Sequence, residues 1–192
     1  MVEKDLENSL AAILRAGHLD RSALRDLRIA PSTSDATSIY DLVKNFEYEI
    51  FQDTSDFNPE PKLMIDVAGG IVPDLVLRSR ASRENRIYIE VKLTEEIRDE
   101  APLSQIVRQF LHLLATSRHS PLTGGPDIRR AVLLAAPSAW FAKETNMTKW
   151  RYFLNTYTGL ARLPMLDITL GELKLDGFVR DGWLTNARTD RR

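Results

Sequence analysis

Two short stretches place ionisable side chains where a buried strand would carry apolar ones: IVPDLVL at 71–77 and RIYIEVKL at 86–93. Side chains alternate along a strand, so Val72, Asp74 and Val76 share one face of the first stretch. In the second, Tyr88, Glu90 and Lys92 share one face and Ile87, Ile89, Val91 and Leu93 the other. An ionised group in such surroundings costs several kcal/mol unless it is paired or ligates a metal. If the two strands are neighbours, Asp74 and Glu90 converge. Two carboxylates with a backbone carbonyl and water are a hard-oxygen set suited to Mg²⁺ or Mn²⁺. A cation held there polarises a phosphoryl oxygen and acidifies water, while Lys92 orients or helps to deprotonate that water and offsets charge growing on the phosphate. The chemistry such a set can perform is phosphodiester hydrolysis.

Taken singly, each residue has a plainer reading. Asp74 is a turn residue after proline, and Glu90 and Lys92 are the solvent face of an amphipathic edge strand. The combination carries more weight. Pro73-Asp74, a short loop and then Glu90-Val91-Lys92 resemble the PD-(D/E)XK signature of restriction-endonuclease-like nucleases. The resemblance covers roughly residues 38 to 136 and implies a helix, a three-stranded meander carrying the motif, a crossover helix and a further strand. It implies Asp74 and Glu90 as metal ligands, Lys92 as the catalytic lysine, Mg²⁺ as cofactor with Mn²⁺ able to substitute, and a nucleic-acid substrate, DNA in the first instance. Many members add an acidic residue from the first core helix. Glu47 and Glu49 are the candidates, Glu49 standing nearer the apolar positions Phe46 and Ile50. Some branches carry Gln and, four residues on, Tyr on the helix after the lysine. Here Gln105 and Gln109 have that spacing with Arg108 alongside, and the Tyr is absent. These polar groups are candidates for contact with a phosphate or a metal's waters. Arg86, with Arg78, Arg80 and Arg83 in the stretch joining the motif strands, is a further candidate phosphate contact. Cleavage of both strands by nucleases with one site per chain makes a homodimer an expectation as well.

The elements that must position these groups follow from periodicity. Leu6, Leu10, Ile13 and Leu14, then Leu24 and Leu27 after Gly17-His18, predict a helical pair, an N-terminal extension over 1–30. Ser34 or Asp35 can cap a helix whose face is Ile39, Val43, Phe46 and Ile50 and which ends near Gln52. Strands are predicted at 63–68 (LMIDVA), 71–77 and 86–93, with Gly69-Gly70 as a hairpin turn between the first two. Pro102 to Ser117 has a broad apolar stripe, RAVLLAA at 130–136 reads as a buried strand, and Lys143 to Tyr157 as a helix rich in aromatics. That aromatic set suits core or interface packing, with stacking of single-stranded bases as the functional alternative. The expected architecture is one compact α/β domain, a mixed sheet flanked by helices in α-β-β-β-α-β order, with the nuclease-like core over 38–160 and a strand, turn and basic tail over 161–192.

Composition bounds the rest. The chain has 192 residues, 43% of them hydrophobic, enough for a core of its own. No cysteine is present, which excludes disulfides, thiolate metal sites and a thiol nucleophile. His18, His112 and His119 have no second ligand at metal spacing. The formal net charge of -1 does not advertise a nucleic-acid binder, so phosphate contacts would have to come from a local patch. It also keeps open the alternative of a catalytically silent nuclease fold serving as a nucleic-acid- or protein-binding module. A third reading, an unrelated α/β protein with an accidental motif, requires Asp74 and Glu90 to diverge. The N-terminal stretch is acidic and amphipathic and no apolar run approaches a membrane span, so a cytoplasmic location is expected.

Overall fold

The computed structural model describes residues 3–52, 72–81, 85–93, 105–116, 128–164 and 166–176. The helices are α1 (Glu3–Ala16), α2 (Ser22–Asp26), α3 (Ile39–Val43), α4 (Gln105–Thr116), α5 (Ser138–Phe141) and α6 (Glu144–Ala161). The strands are β1 (Ile29–Ser32), β2 (Tyr48–Gln52), β3 (Leu75–Ser79), β4 (Arg86–Val91), β5 (Arg130–Ala136) and β6 (Ile168–Lys174). They form one six-stranded mixed sheet in the order β1-β6-β5-β4-β3-β2. Strands β2, β3 and β4 are an antiparallel meander, β4, β5 and β6 run parallel, and β1 closes the far edge antiparallel to β6. The protein is thus mixed α/β, with helices on both faces of the sheet.

The period-two pattern divides the central strands between two cores. Leu75, Leu77, Ile87, Ile89, Val91, Ala131, Leu133 and Ala135 pack with α1, α2 and α3 through Leu6, Leu10, Leu14, Leu24 and Leu42. Val76, Tyr88, Val132, Leu134 and Leu170 pack on the other side with Ile106, Phe110 and Leu113 of α4 and Trp150 and Phe153 of α6. Helix α4 lies in sequence between the parallel strands β4 and β5, where a crossover is obligatory. The aromatic stretch is core: Trp140 and Trp150 are fully buried and Phe153 stacks on Trp150, although Tyr152 faces out.

The expected helix over 38–52 is corrected. Ser38 caps it, its side chain accepting from Asp41 N, but the helix ends at Val43 and residues 48–52 are strand β2. Position 39-43-46-50 spacing mimics a helical stripe, while Tyr, Ile and Phe within five residues favour a pleated strand and sheet pairing decides between them. Tyr48 is buried and its hydroxyl donates to Leu14 O of α1 at 2.7 Å, tying β2 under that helix. The predicted strand at 63–68 and the Gly69-Gly70 turn lie outside the described residues, and β2 takes the first place in the meander.

Under α4 runs a buried polar chain. Arg86 hydrogen-bonds the Tyr88 oxygen, and the Tyr88 hydroxyl in turn shares a 2.7 Å hydrogen bond with His112 Nδ1, in which the tautomer sets the donor. Burial, reinforced by the Arg86 charge, pulls the His112 pKa down to about 3. The folded state therefore refuses a proton that the unfolded chain accepts near pH 6.5, and stability falls as pH drops through the window from 6.5 towards 3. His112→Gln keeps an acceptor for Tyr88 without the titration. Urea denaturation should show the stability difference between wild type and variant moving against wild type by about 1.4 kcal/mol per pH unit between pH 6 and 4; parallel pH profiles would refute a neutral buried imidazole.

Candidate active site at the ends of strands β3 and β4

Register brings the motif residues together. Leu75 pairs with Ile89 in the antiparallel β3–β4 ladder, so Asp74, one residue before β3, falls opposite Glu90 near the end of β4. The Asp74 carboxylate closes the ladder itself: Oδ2 accepts the Val91 N–H at 2.7 Å. Glu90 is fully buried, and both of its oxygens are engaged. Oε1 lies 2.8 Å from Lys92 Nζ and Oε2 accepts from Gln109 Nε2 at 2.8 Å. Lys92 follows β4 directly, its N–H donating to Ala135 O of β5 at 2.8 Å, and its side chain is almost wholly buried. A lysine two residues from a glutamate on one strand face would ordinarily reach for solvent. Here it turns back onto Glu90.

The electrostatics record crowding. Burial pushes Asp74 up to about 6, with Glu7 and Glu3 adding to it, against the opposing pull of Lys92 and the Val91 hydrogen bond. Burial and then the Asp74 charge push Glu90 up to about 7, against Lys92 and Gln109. Burial pulls Lys92 down, but Glu90, Asp74 and Glu3 outweigh it and its pKa is raised. Lys92 is therefore an ammonium at neutral pH, and the two carboxyls titrate together near it.

Of the candidate residues, the structure brings together Asp74, Glu90, Lys92 and Gln109. Gln109 serves as a buried donor to Glu90 and is wholly shielded, so it is not placed to meet a phosphate directly. Its Oε1 is buried with no hydrogen-bond partner among the described residues. Gln105 opens α4 half-buried, and Arg108 is buried on the same helix. Glu49 is corrected: it sits on strand β2, not on a helix, and lies 3.2 Å from Arg80 and 3.8 Å from Arg78. Glu47 is exposed just before β2, its carbonyl accepting from Arg80 N. Arg86 lies opposite Arg78 and Arg130 at the start of β4, four residues and about 13 Å along the strand from Glu90. Arg83 lies outside the described residues.

Two acidic residues of α1 also approach this cluster. Glu7 is buried and held by Lys4 at 2.8 Å and Gln52 Nε2 at 3.3 Å. Glu3, one turn earlier, accepts the Leu93 N–H on Oε2 at 3.0 Å and has Oε1 3.5 Å from Lys92 Nζ. Both charges are felt at Asp74. The available signal was Glu7 next to Leu6 and three residues before Leu10, on the border of the apolar stripe.

Among the described residues no three His, Cys, Asp or Glu side chains stand together as a ready-made metal cage. Mg²⁺ does not require one, since it is commonly held by one or two carboxylates and retains several waters. Asp74 and Glu90 fit that demand in donor type and in their surplus of negative charge: four carboxylates gather where Lys92 and Lys4 are the facing ammoniums. The chain matches no family model, no curated protein and no solved structure.

If Lys92 is what permits Glu90 to be buried ionised, Lys92→Met, which keeps the stem, should cost about 3 kcal/mol in urea denaturation at pH 8. Because the Glu90 pKa is raised, the carboxyl is protonated below about pH 7 and needs no cation there. The cost should shrink clearly at pH 5, and an equal loss at both pH values would mean that Lys92 acts by packing alone.

Proposed function

We propose that this protein is a metal-dependent nuclease that hydrolyses nucleic-acid phosphodiester bonds, with DNA as the substrate and a PD-(D/E)XK arrangement as its site. The observation that carries the reading is the convergence of Asp74, Glu90 and Lys92 at the adjoining ends of β3 and β4, with both carboxyl pKa values raised. An accidental motif has no reason to converge, nor to bury three ionisable groups together.

Mg²⁺, or Mn²⁺ in its place, would supply Lewis-acid polarisation of the phosphate and a more acidic water. Asp74 and Glu90 would provide its hard-oxygen ligands, and the Val91 hydrogen bond fixes the Asp74 carboxylate so that its second oxygen is preorganised. Gln109 does the same for Glu90 from α4. Lys92, held protonated by its neighbours, acts as a donor that orients water and meets developing phosphate charge.

Purified protein incubated with labelled single- and double-stranded DNA and RNA, with Mg²⁺, Mn²⁺ or chelator, tests this. Cleavage should need metal and fall on the order of a hundredfold or more in Asp74→Ala and Lys92→Ala. Folded protein that cuts none of these substrates would instead favour a silent nuclease fold acting as a binding module. Metal binding has its own pH signature. Both carboxyls must be ionised, so the Mg²⁺-induced rise in melting temperature should grow as pH climbs from 5.5 to 8, through their values of about 6 and 7, and vanish in Asp74→Asn.

A further inference from the structure

The Glu3 carboxylate makes an unusual pair of contacts. It spans 90 residues of sequence to accept a main-chain N–H from Leu93 at 3.0 Å, while its other oxygen faces Lys92 Nζ at 3.5 Å. A backbone N–H and an ammonium side by side are the donor set with which proteins hold a phosphate oxygen. We propose that the Leu93 N–H and Lys92 form an anion cradle for a phosphodiester, and that Glu3 is a built-in competitor which a substrate phosphate displaces. The inference rests on the nuclease reading for the identity of the competing anion.

Three observations support a displaceable Glu3. Its side chain is 27% exposed, against 4% for Lys92, so solvent and substrate can reach it. Its 3.5 Å contact is looser than the 2.8 Å pair between Lys92 and Glu90, so Lys92 keeps its main partner when Glu3 leaves. Finally, α1 is anchored by Leu6, Leu10 and Leu14 in the core and by buried Glu7. Glu3 stands at the start of the helix, and swinging its side chain away releases its own two contacts while leaving these in place. The cluster also has reason to release it. A phosphate arriving beside Asp74, Glu90, Glu7 and Glu3 meets four carboxylates, and expelling Glu3 removes one repulsion while vacating two donors.

The test uses inorganic phosphate as the probe, with full-length protein in chelator, so that no turnover or metal is involved. Binding is read from the Leu93 amide in ¹⁵N–¹H spectra and from melting temperature. Glu3→Gln and Glu3→Ala should bind phosphate roughly fivefold to tenfold more tightly than wild type. Lys92→Met should remove the response in either background. Asp5→Ala loses the same charge from the exposed side of the same turn and should leave the affinity within about twofold. Unchanged or weaker phosphate binding in both Glu3 variants overturns the proposal, as does an equal gain in Asp5→Ala, which would make the effect bulk charge. If phosphate binding follows this pattern but no nucleic acid is cleaved with Mg²⁺, the cradle stands and the nuclease reading fails. If cleavage occurs and the Glu3 variants bind phosphate like wild type, the reverse holds.

Discussion

Two carboxylates buried side by side are the constraint on which the end of the β3–β4 ladder depends. Asp74 and Glu90 cannot both be ionised in an apolar site without compensation. The fold supplies compensation of three kinds. Main chain is aimed at Asp74, an amide from α4 at Glu90, and Lys92 is bent back over Glu90. None is complete, which is why both carboxyls hold protons to unusually high pH. A protein selected for stability alone would fill this position with apolar side chains, as it does one row further along the same face, where Val76, Tyr88 and Val132 lie in register. Residual repulsion is characteristic of a site that another cation completes.

The local geometry was legible because it depends only on period two and on which strands adjoin. Alternation in IVPDLVL and RIYIEVKL put Asp74 and Glu90 on one face, and the structure has them opposite each other. The crossover helix and the buried RAVLLAA strand were legible for a similar reason, being long and strongly patterned. Residues 48–52 were not, because a five-residue strand next to a five-residue helix can imitate one longer helical stripe. That substitution carried Glu49 from an expected helix to the sheet edge. It also hid the contribution of α1, since a chain already credited with a first core helix at 38–52 leaves α1 as an extension. Glu3 and Glu7 meet the site only through contacts 89 and 45 residues long, to Lys92 and Gln52, and no local pattern announces such contacts.

The arginines show a different kind of miss, one that geometry alone decides. Asp74 directly precedes β3 and Glu90 is the penultimate residue of β4, so in an antiparallel pair both stand at the end remote from the connection between the strands. Arg78, Arg80 and Arg86, which flank that connection, are thereby carried to the opposite end of the sheet. There Arg78 and Arg80 face Glu49, and Arg86 joins Tyr88 and His112. The same sheet face thus ends in carboxylates on one side and guanidinium groups on the other, with Tyr88 between.

This polarity narrows how a polyanion can approach. With the arginines of the β3–β4 connection turned to the far end, Lys92 is the almost fully buried ammonium beside Glu90, and Lys4 is paired with Glu7. Among the described residues, Gln109 and β5 adjoin the cluster on the α4 side, and Glu3 lies over Leu93 at the first turn of α1. On the proposed nuclease reading, substrate access, metal neutralisation of the carboxylates and release of Glu3 would be coupled. Each added cation makes the cluster less hostile to a phosphate, and each displaced carboxylate makes it more receptive to both.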